Sequence, residues 1–119
     1  MKFVFGALTA IAICLSFAAH AGEGYEIKGR SGVMVFVAVD SSEAENEDVY
    51  RFAVVDACAG KPICQVHYWV GNAPSSFPLS DAQVNSKVAH WQQNLNTGLR
   101  RWLVNCGTSN LFSNGRECM

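Results

Sequence analysis

Four cysteines near the middle and the end of the chain, Cys58, Cys64, Cys106 and Cys118, constrain the fold more than any other feature. A fifth, Cys14, lies in an N-terminal run of a different kind. Met1-Lys2 gives a short positive start, Phe3 to Ala19 carries no charge, and Ala19-His20-Ala21 fits the small-x-small rule for cleavage before Gly22. This is the pattern of a secretory signal peptide. A membrane anchor is the other reading, but the run has no basic flank on its far side. Ile13 stands where a lipoprotein leader would place a small residue before Cys14. Residues 1–21 are therefore expected to be removed, taking Cys14 with them. The remaining even set, in an exported chain, reads as two disulfides.

Three pairings are open. Proximity favours Cys58–Cys64 and Cys106–Cys118, each closing a short loop worth about 2–3 kcal/mol. The crossed pairings would instead tie the tail to the centre of the chain. A four-thiolate zinc site fits poorly, because Cys-x5-Cys and Cys-x11-Cys lack the close pairs such sites use. No Cys-x-x-Cys is present, so a thioredoxin-like role lacks its motif. Neither a metal nor another cofactor is expected.

The chain from Gly22 to Met119 is one domain by length. Without Lys2, eight basic residues of the nine face ten acidic ones, a net charge of −2. Nucleic-acid binding, which wants a basic stripe, is not expected, nor is a membrane span once the leader is gone. A domain this small is marginal without staples, which is what the cysteines would supply.

Tyr25-Glu26-Ile27-Lys28 can form a short edge strand. Val33 to Val39 is a continuous apolar run rich in β-branched residues, the signature of an inner strand covered on both faces. Asp40-Ser41-Ser42 stops it, and Ser42 with Glu45 fits a capping box for a first helix. Glu43, Glu45, Glu47 and Asp48 crowd its opening turns, where the dipole favours negative charge. Val49, Phe52, Ala53 and Ala57 supply its apolar face. Gly60 and Pro62 end it. Ile63 to Val70 is the second strand, with Cys64, Val66, Tyr68 and Val70 on one face and Ile63, Gln65, His67 and Trp69 on the other. After a loop at 71–76, Ser80 and Gln83 form a capping box for a second helix reaching Thr97-Gly98. Val84, Val88, Trp91 and Leu95 are its apolar stripe, opposite Asn85, Ser86, Gln92, Gln93 and Asn96. Leu99 to Cys106 is a third strand, followed by a turn-rich tail. The expected architecture is α+β: a two-layer β-α-β-α-β domain, one sheet with both helices packed on it, stapled by disulfides.

Chemistry-bearing residues are sparse. His67 sits on a strand beside Gln65. His90 is expected on the surface of the second helix, and nothing in the spacing brings the two histidines together. Asp56 lies at a helix C-terminus, where negative charge is unfavourable, so a partner among Arg51, Lys61, Arg100 and Arg101 is expected. No serine-nucleophile elbow, phosphate loop or dinucleotide fingerprint occurs. Tyr68, Trp69, Trp91 and Trp102 are many aromatics for so short a chain, and aromatics anchor both cores and interfaces. The candidate binding residues are Lys61, Pro62, His67, Trp69, Arg100 and Arg101, with no catalytic set among them.

Lys61-Pro-Ile-Cys-Gln-Val-His-Tyr-Trp69, Asp81-Ala-Gln-Val84 and Trp91-Gln-Gln-Asn-Leu-Asn-Thr-Gly-Leu-Arg-Arg-Trp102 together resemble a group of small exported bacterial proteins without an assigned role. The resemblance covers the second half of the chain, implies a periplasmic or secreted bacterial protein, and carries over no catalytic residues. The turn Cys58-Ala-Gly-Lys-Pro-Ile-Cys64 is similar in idea to the strapped Cys-Lys-Pro loop of a family of periplasmic lysozyme inhibitors. Those loops carry a His between the cysteines, where this chain has none. The leading expectation is binding to a protein or cell-envelope component without catalysis. Inhibition of a cell-wall hydrolase through the 58–64 loop, a small hydrolase using His67 with a carboxylate, and a purely structural envelope role are the alternatives.

Overall fold

In the computed structural model, which describes residues 21–119, the apolar run becomes, from Met34 to Val39, an inner strand of a seven-stranded sheet, with Val33 left in the preceding turn. The expected leader lies outside the described residues except for Ala21. The strands are β1 (Ala21–Gly22), β2 (Tyr25–Ser31), β3 (Met34–Val39), β4 (Ile63–Val70), β5 (Ala89–Asn94), β6 (Leu99–Val104) and β7 (Arg116–Cys118). The helices are α1 (Glu47–Ala57) and α2 (Asp81–Ser86). Spatial order follows chain order from β1 to β7. Two neighbouring pairs run parallel, β3 with β4 and β6 with β7. Parallel neighbours need a crossover. The first contains α1, and the second is the turn-rich segment 105–115.

The core lies between α1 and one face of the sheet. Val35, Val37 and Val39 of β3, Cys64, Val66 and Tyr68 of β4, Ala89 and Val104 meet Val49, Tyr50, Ala53 and Ala57 of the helix. Tyr68 is fully buried, so its hydroxyl needs a partner. It donates to the Tyr50 carbonyl at 2.8 Å, and the Tyr50 hydroxyl donates to the Ala44 carbonyl at 2.7 Å. Leu111 and Phe112 of the tail complete this layer. Both proximity disulfides form, Cys58–Cys64 and Cys106–Cys118.

The start of α1 departs from expectation. Residues 41–43 make a single 3-10 turn, and the helix begins at Glu47 with Asn46 as its cap, its side chain accepting from the Asp48 amide at 3.2 Å. Two of the acids read as matching the helix dipole also hold the tail. Glu45 accepts from the Ser109 hydroxyl and the Asn110 amide, and Glu47 accepts from the Phe112 amide at 2.8 Å. Asp56, expected to find a cation, accepts instead from the Tyr25 hydroxyl at 2.9 Å. Burial and that carboxylate push Tyr25 up to about 12.

The second helix is the main correction. Its capping box forms as read, with Ser80 and Gln83 bonded reciprocally. The helix then stops at Ser86, and residues 89–94 are a strand. Helix propensity is a weak preference. Here it competes with the backbone groups of β4 and β6, whose inner edges find partners only if the chain between them is extended. Val88 donates to the Tyr68 carbonyl, and Asn105 donates to the Val88 carbonyl. Each residue of β5 then pairs on both sides. The expected stripe is dispersed. Trp91 faces the α1 side beside Trp102, while Val84 is 53 % exposed and Leu95 44 % exposed.

The layering changes accordingly. Only α1 packs on the core face. Residues 72–88, including α2, cross the opposite face as a strap. Phe77 meets Phe36 edge-on at 5.2 Å, and the Trp69 indole donates to the Gln83 carbonyl at 2.7 Å. Gly29 lies under the strap, and a Cβ there would strike the Ser75 carbonyl. The coarse reading of one sheet, two helices and two disulfides therefore stands, but the β-α-β-α-β order and the common helix face do not.

Candidate functional site

The 58–64 turn is built as a fixed, exposed loop. α1 closes with the Cys58 amide on the Val54 carbonyl. Gly60 takes a left-handed conformation, φ 72°, that suits a residue without a side chain, and the Lys61 amide returns to the Cys58 carbonyl. The disulfide joins the two ends. The neighbouring hairpin holds the far side: the Gln93 side chain donates to the Lys61 carbonyl at 2.9 Å, and the Leu95 amide donates to the Pro62 carbonyl at 2.8 Å. Every residue from Ala59 to Ile63 is nonetheless exposed. Ile63 and Leu99 both pair with Asn94, so their side chains share one sheet face, and each is about 40 % exposed (40 % and 39 %). Lys61 and Pro62 thus sit at the tip of a rigid loop with an apolar flank.

The six candidate binding residues do not converge. Lys61 and Pro62 form the loop tip. His67, Trp69 and Arg101 lie on the strap-covered face of the sheet, and Trp69 is 2 % exposed with its indole nitrogen already bonded. Arg100, adjacent to Arg101 on a strand, points to the other face, where it is exposed opposite Gln93. The polar helix side expected to accompany them does not form, because Gln92 and Gln93 alternate across β5.

On the strap face the structure assembles a cluster that the helical reading of 80–97 concealed. His67 and His90 are cross-strand partners, their rings stacked with centroids 4.0 Å apart. His90 Nε2 lies 3.2 Å from Gln65 Oε1, and Lys87 Nζ lies 3.0 Å from His67 Nδ1. An ammonium can only donate, so Nδ1 accepts and the ring proton of His67 resides on Nε2. That atom is buried without a partner. Beyond His90, Arg101 Nε donates to Gln92 Oε1 at 2.7 Å and its guanidinium pairs with Glu117.

Burial, then the neighbouring His90 and Lys87 charges, lower His67 to about 3. Burial, then Lys87 and Arg101, lower His90 to about 4. Burial also lowers Lys87. Both imidazoles are therefore neutral at pH 7, and no carboxylate is hydrogen-bonded to either ring among the described residues. No cluster of three or more potential metal-ligating side chains occurs among the described residues. The cluster was visible in one respect: Gln65-Val-His67 and His90-Trp-Gln92 are mirror images, as antiparallel partners with like residues opposed would be.

Comparison with protein-family models, with curated proteins and with solved structures finds no match to this chain.

Proposed function

We propose that this chain is a small exported binding domain, periplasmic or secreted, which engages an acidic protein surface of the cell envelope through the 58–63 loop and performs no catalysis. One observation carries this reading: every residue from Ala59 to Ile63 is exposed while both ends of the loop and two of its carbonyls are fixed. An exposed segment that is already ordered loses little further entropy on binding. The disulfides are compatible with an oxidising compartment. The charge distribution supports the choice of partner. Between Ala57 and Arg116 the only acidic side chain is Asp81, and the loop end presents the exposed Lys61 and Arg100, while the carboxylate of Asp56, on the adjoining helix turn, is engaged by the Tyr25 hydroxyl.

The narrower reading, inhibition of a cell-wall hydrolase, is favoured by the same Lys61-Pro62 tip. Glycoside hydrolase clefts hold a pair of carboxylates, and a rigid loop ending in one cation complements them. The hydrolase reading through His67 draws no support from a ring that is 6 % exposed and bonded to Lys87.

A photo-crosslinking side chain placed at Lys61 in the exporting cell tests the proposal. A discrete adduct from position 61, absent from the same probe at Asn72 and lost on Pro62→Gly, is expected. Equal labelling from positions 61 and 72 would overturn the placement of the surface. Titrating purified protein against muramidase activity tests the narrower reading, for which stoichiometric inhibition abolished by Lys61→Glu is expected.

A further inference from the structure

We propose that the surface begun by the 58–63 loop continues onto the open part of the strap-side sheet face, where it takes an extended acidic peptide segment by its carbonyl and carboxylate oxygens. This rests on the loop reading for the partner being a protein, and adds where that partner lies and what it must present. The anchors of the strap fall on Gly29, Phe36, His67 and Trp69. Two rows of side chains lie beyond them, set by strand register. Ile63, Asn94 and Leu99 form one, and Gln65, Gln92 and Arg101 form the other. All six are exposed or half-buried, and Ile63 is also the last residue of the loop.

Internal hydrogen bonds make this face one-sided. A side-chain amide normally offers both an acceptor and a donor. Here the oxygens are already taken. Gln92 Oε1 accepts from Arg101 Nε at 2.7 Å, and Asn94 Oδ1 accepts from the Asn96 amide at 3.0 Å. Gln65 Oε1 lies 3.2 Å from His90 Nε2, which must donate because a carbonyl oxygen can only accept. The nitrogens are left over. Nε2 of Gln65, Nε2 of Gln92 and Nδ2 of Asn94 have no hydrogen-bond partner among the described residues, and none of the three is buried away from solvent. Arg101 engages Gln92 and Glu117 through Nε and one terminal nitrogen, which leaves its other terminal nitrogen free.

A face that presents N–H groups and no free amide oxygen selects its partner. An apolar partner would strip water from these donors without replacing it, and a cationic one would set donor against donor. The matching surface is rich in acceptors. It is not a polyanion, which calls for a basic stripe: the donors are mostly neutral amides, and of the two cations nearby, Lys61 and Arg101, the second is shared with Glu117 at 3.3 Å. A peptide segment supplies the right mixture. Its main-chain carbonyls suit the amides, one carboxylate suits Lys61 or the free side of Arg101, and an apolar side chain suits Ile63 and Leu99.

The test is a two-dimensional NMR titration of the exported chain, in which glutamine and asparagine side chains give their own NH2 signals. The probe is a short capped peptide alternating leucine and aspartate, with its lysine counterpart and inorganic polyphosphate as comparisons. Saturable shifts of the Gln65, Gln92 and Asn94 side-chain signals are expected, with a dissociation constant of about 1 mM or tighter. The Asn46 side chain, whose nitrogen already donates to Glu43, should not move. Gln92→Glu keeps the oxygen that Arg101 needs and removes the donor, so it should weaken binding about tenfold or more; a residue that merely held Arg101 in place would show no such loss. Absence of shifts at about 10 mM peptide, roughly ten times that constant, would overturn the inference, and a crosslinked adduct still formed from position 61 would show that the loop reading survives it. Equal binding of the lysine peptide, tighter binding of polyphosphate, or a titration unchanged by Gln92→Glu would overturn it as well.

Discussion

The two faces of the sheet are covered in different ways. The α1 face is closed by a regular helix whose apolar side chains meet β-branched residues, and its hydroxyls, those of Tyr50 and Tyr68, are satisfied by backbone carbonyls. The strap face is closed by an irregular segment with a six-residue helix that buries no side chain of its own. Beneath it lie two neutral histidines, one with an unpartnered ring nitrogen, and the strap's own Lys87 reaches down to His67. A helix covers a sheet by burying a continuous stripe. An irregular strap holds at separate anchors, and the polar groups between anchors must be satisfied one by one. The strap face should therefore be the softer of the two and the one that responds to pH.

The largest effect that would sharpen this contrast is expected from the main anchor. Trp69→Ala removes a buried indole together with its bond to the Gln83 carbonyl and its contact with Phe36. A loss of about 3–5 kcal/mol is expected in urea unfolding. Hydrogen exchange should show the 72–88 backbone opening while α1 keeps its protection. Equal loss of protection on both faces would show that the strap is not an independent unit.

Acid comes next. Both histidines have folded-state pKa values, about 3 and about 4, below the unfolded value near 6.5. Between these limits the unfolded chain takes up protons that the folded chain refuses, so stability rises with pH. The contribution is complete above about 6.5 and is lost as pH falls towards the folded values. At pH 5 each histidine accounts for about 2 kcal/mol, roughly 4 kcal/mol for the pair, a large share of the 5–15 kcal/mol typical of a domain. Urea midpoints at pH 7 and pH 5 measure this. His67→Phe keeps a ring between Phe36 and His90 and should roughly halve the fall. A variant that falls as far as the parent would place the acid sensitivity elsewhere.

The same contrast explains which parts of the molecule were legible in the sequence. β3, α1, β4 and β6 follow from local pattern, since Val33 to Val39, the Ala53–Ala57 face and the alternation around Tyr68 each carry their own period. The proximity disulfides follow from short loops. The 58–64 loop could be found because two cysteines bracket a glycine and a proline. Beyond Ser86 the local signal misleads: Val84, Val88, Trp91 and Leu95 fit a helical period, but the unfilled edges of β4 and β6 decide the outcome, and those edges exist only after long-range pairing. The burial of Trp69 and the meeting of His67 with His90 depend on the same pairing. The tail clamps of Glu45 and Glu47 join residues 64 or 65 positions apart, a separation across which no local pattern points.

The smallest expected effect compares one kind of chemistry on the two faces. Asn46 caps α1 and Ser80 caps α2, each through a side-chain oxygen accepting a backbone amide. Replacing such a cap with alanine costs about 1 kcal/mol where the helix belongs to the cooperative core. Asn46→Ala should show that loss in the global unfolding midpoint, because Val49, Tyr50 and Ala53 couple α1 to the sheet. Ser80→Ala also frees the reciprocal Gln83 bond, yet α2 buries nothing. Its loss should therefore appear as faster exchange of the Val84 amide, which donates to the Ser80 carbonyl, with the global midpoint nearly unchanged. If Ser80→Ala instead lowered the midpoint as much as Asn46→Ala, the strap would be as firmly coupled as the helix, and the distinction between a continuous cover and an anchored one would fail.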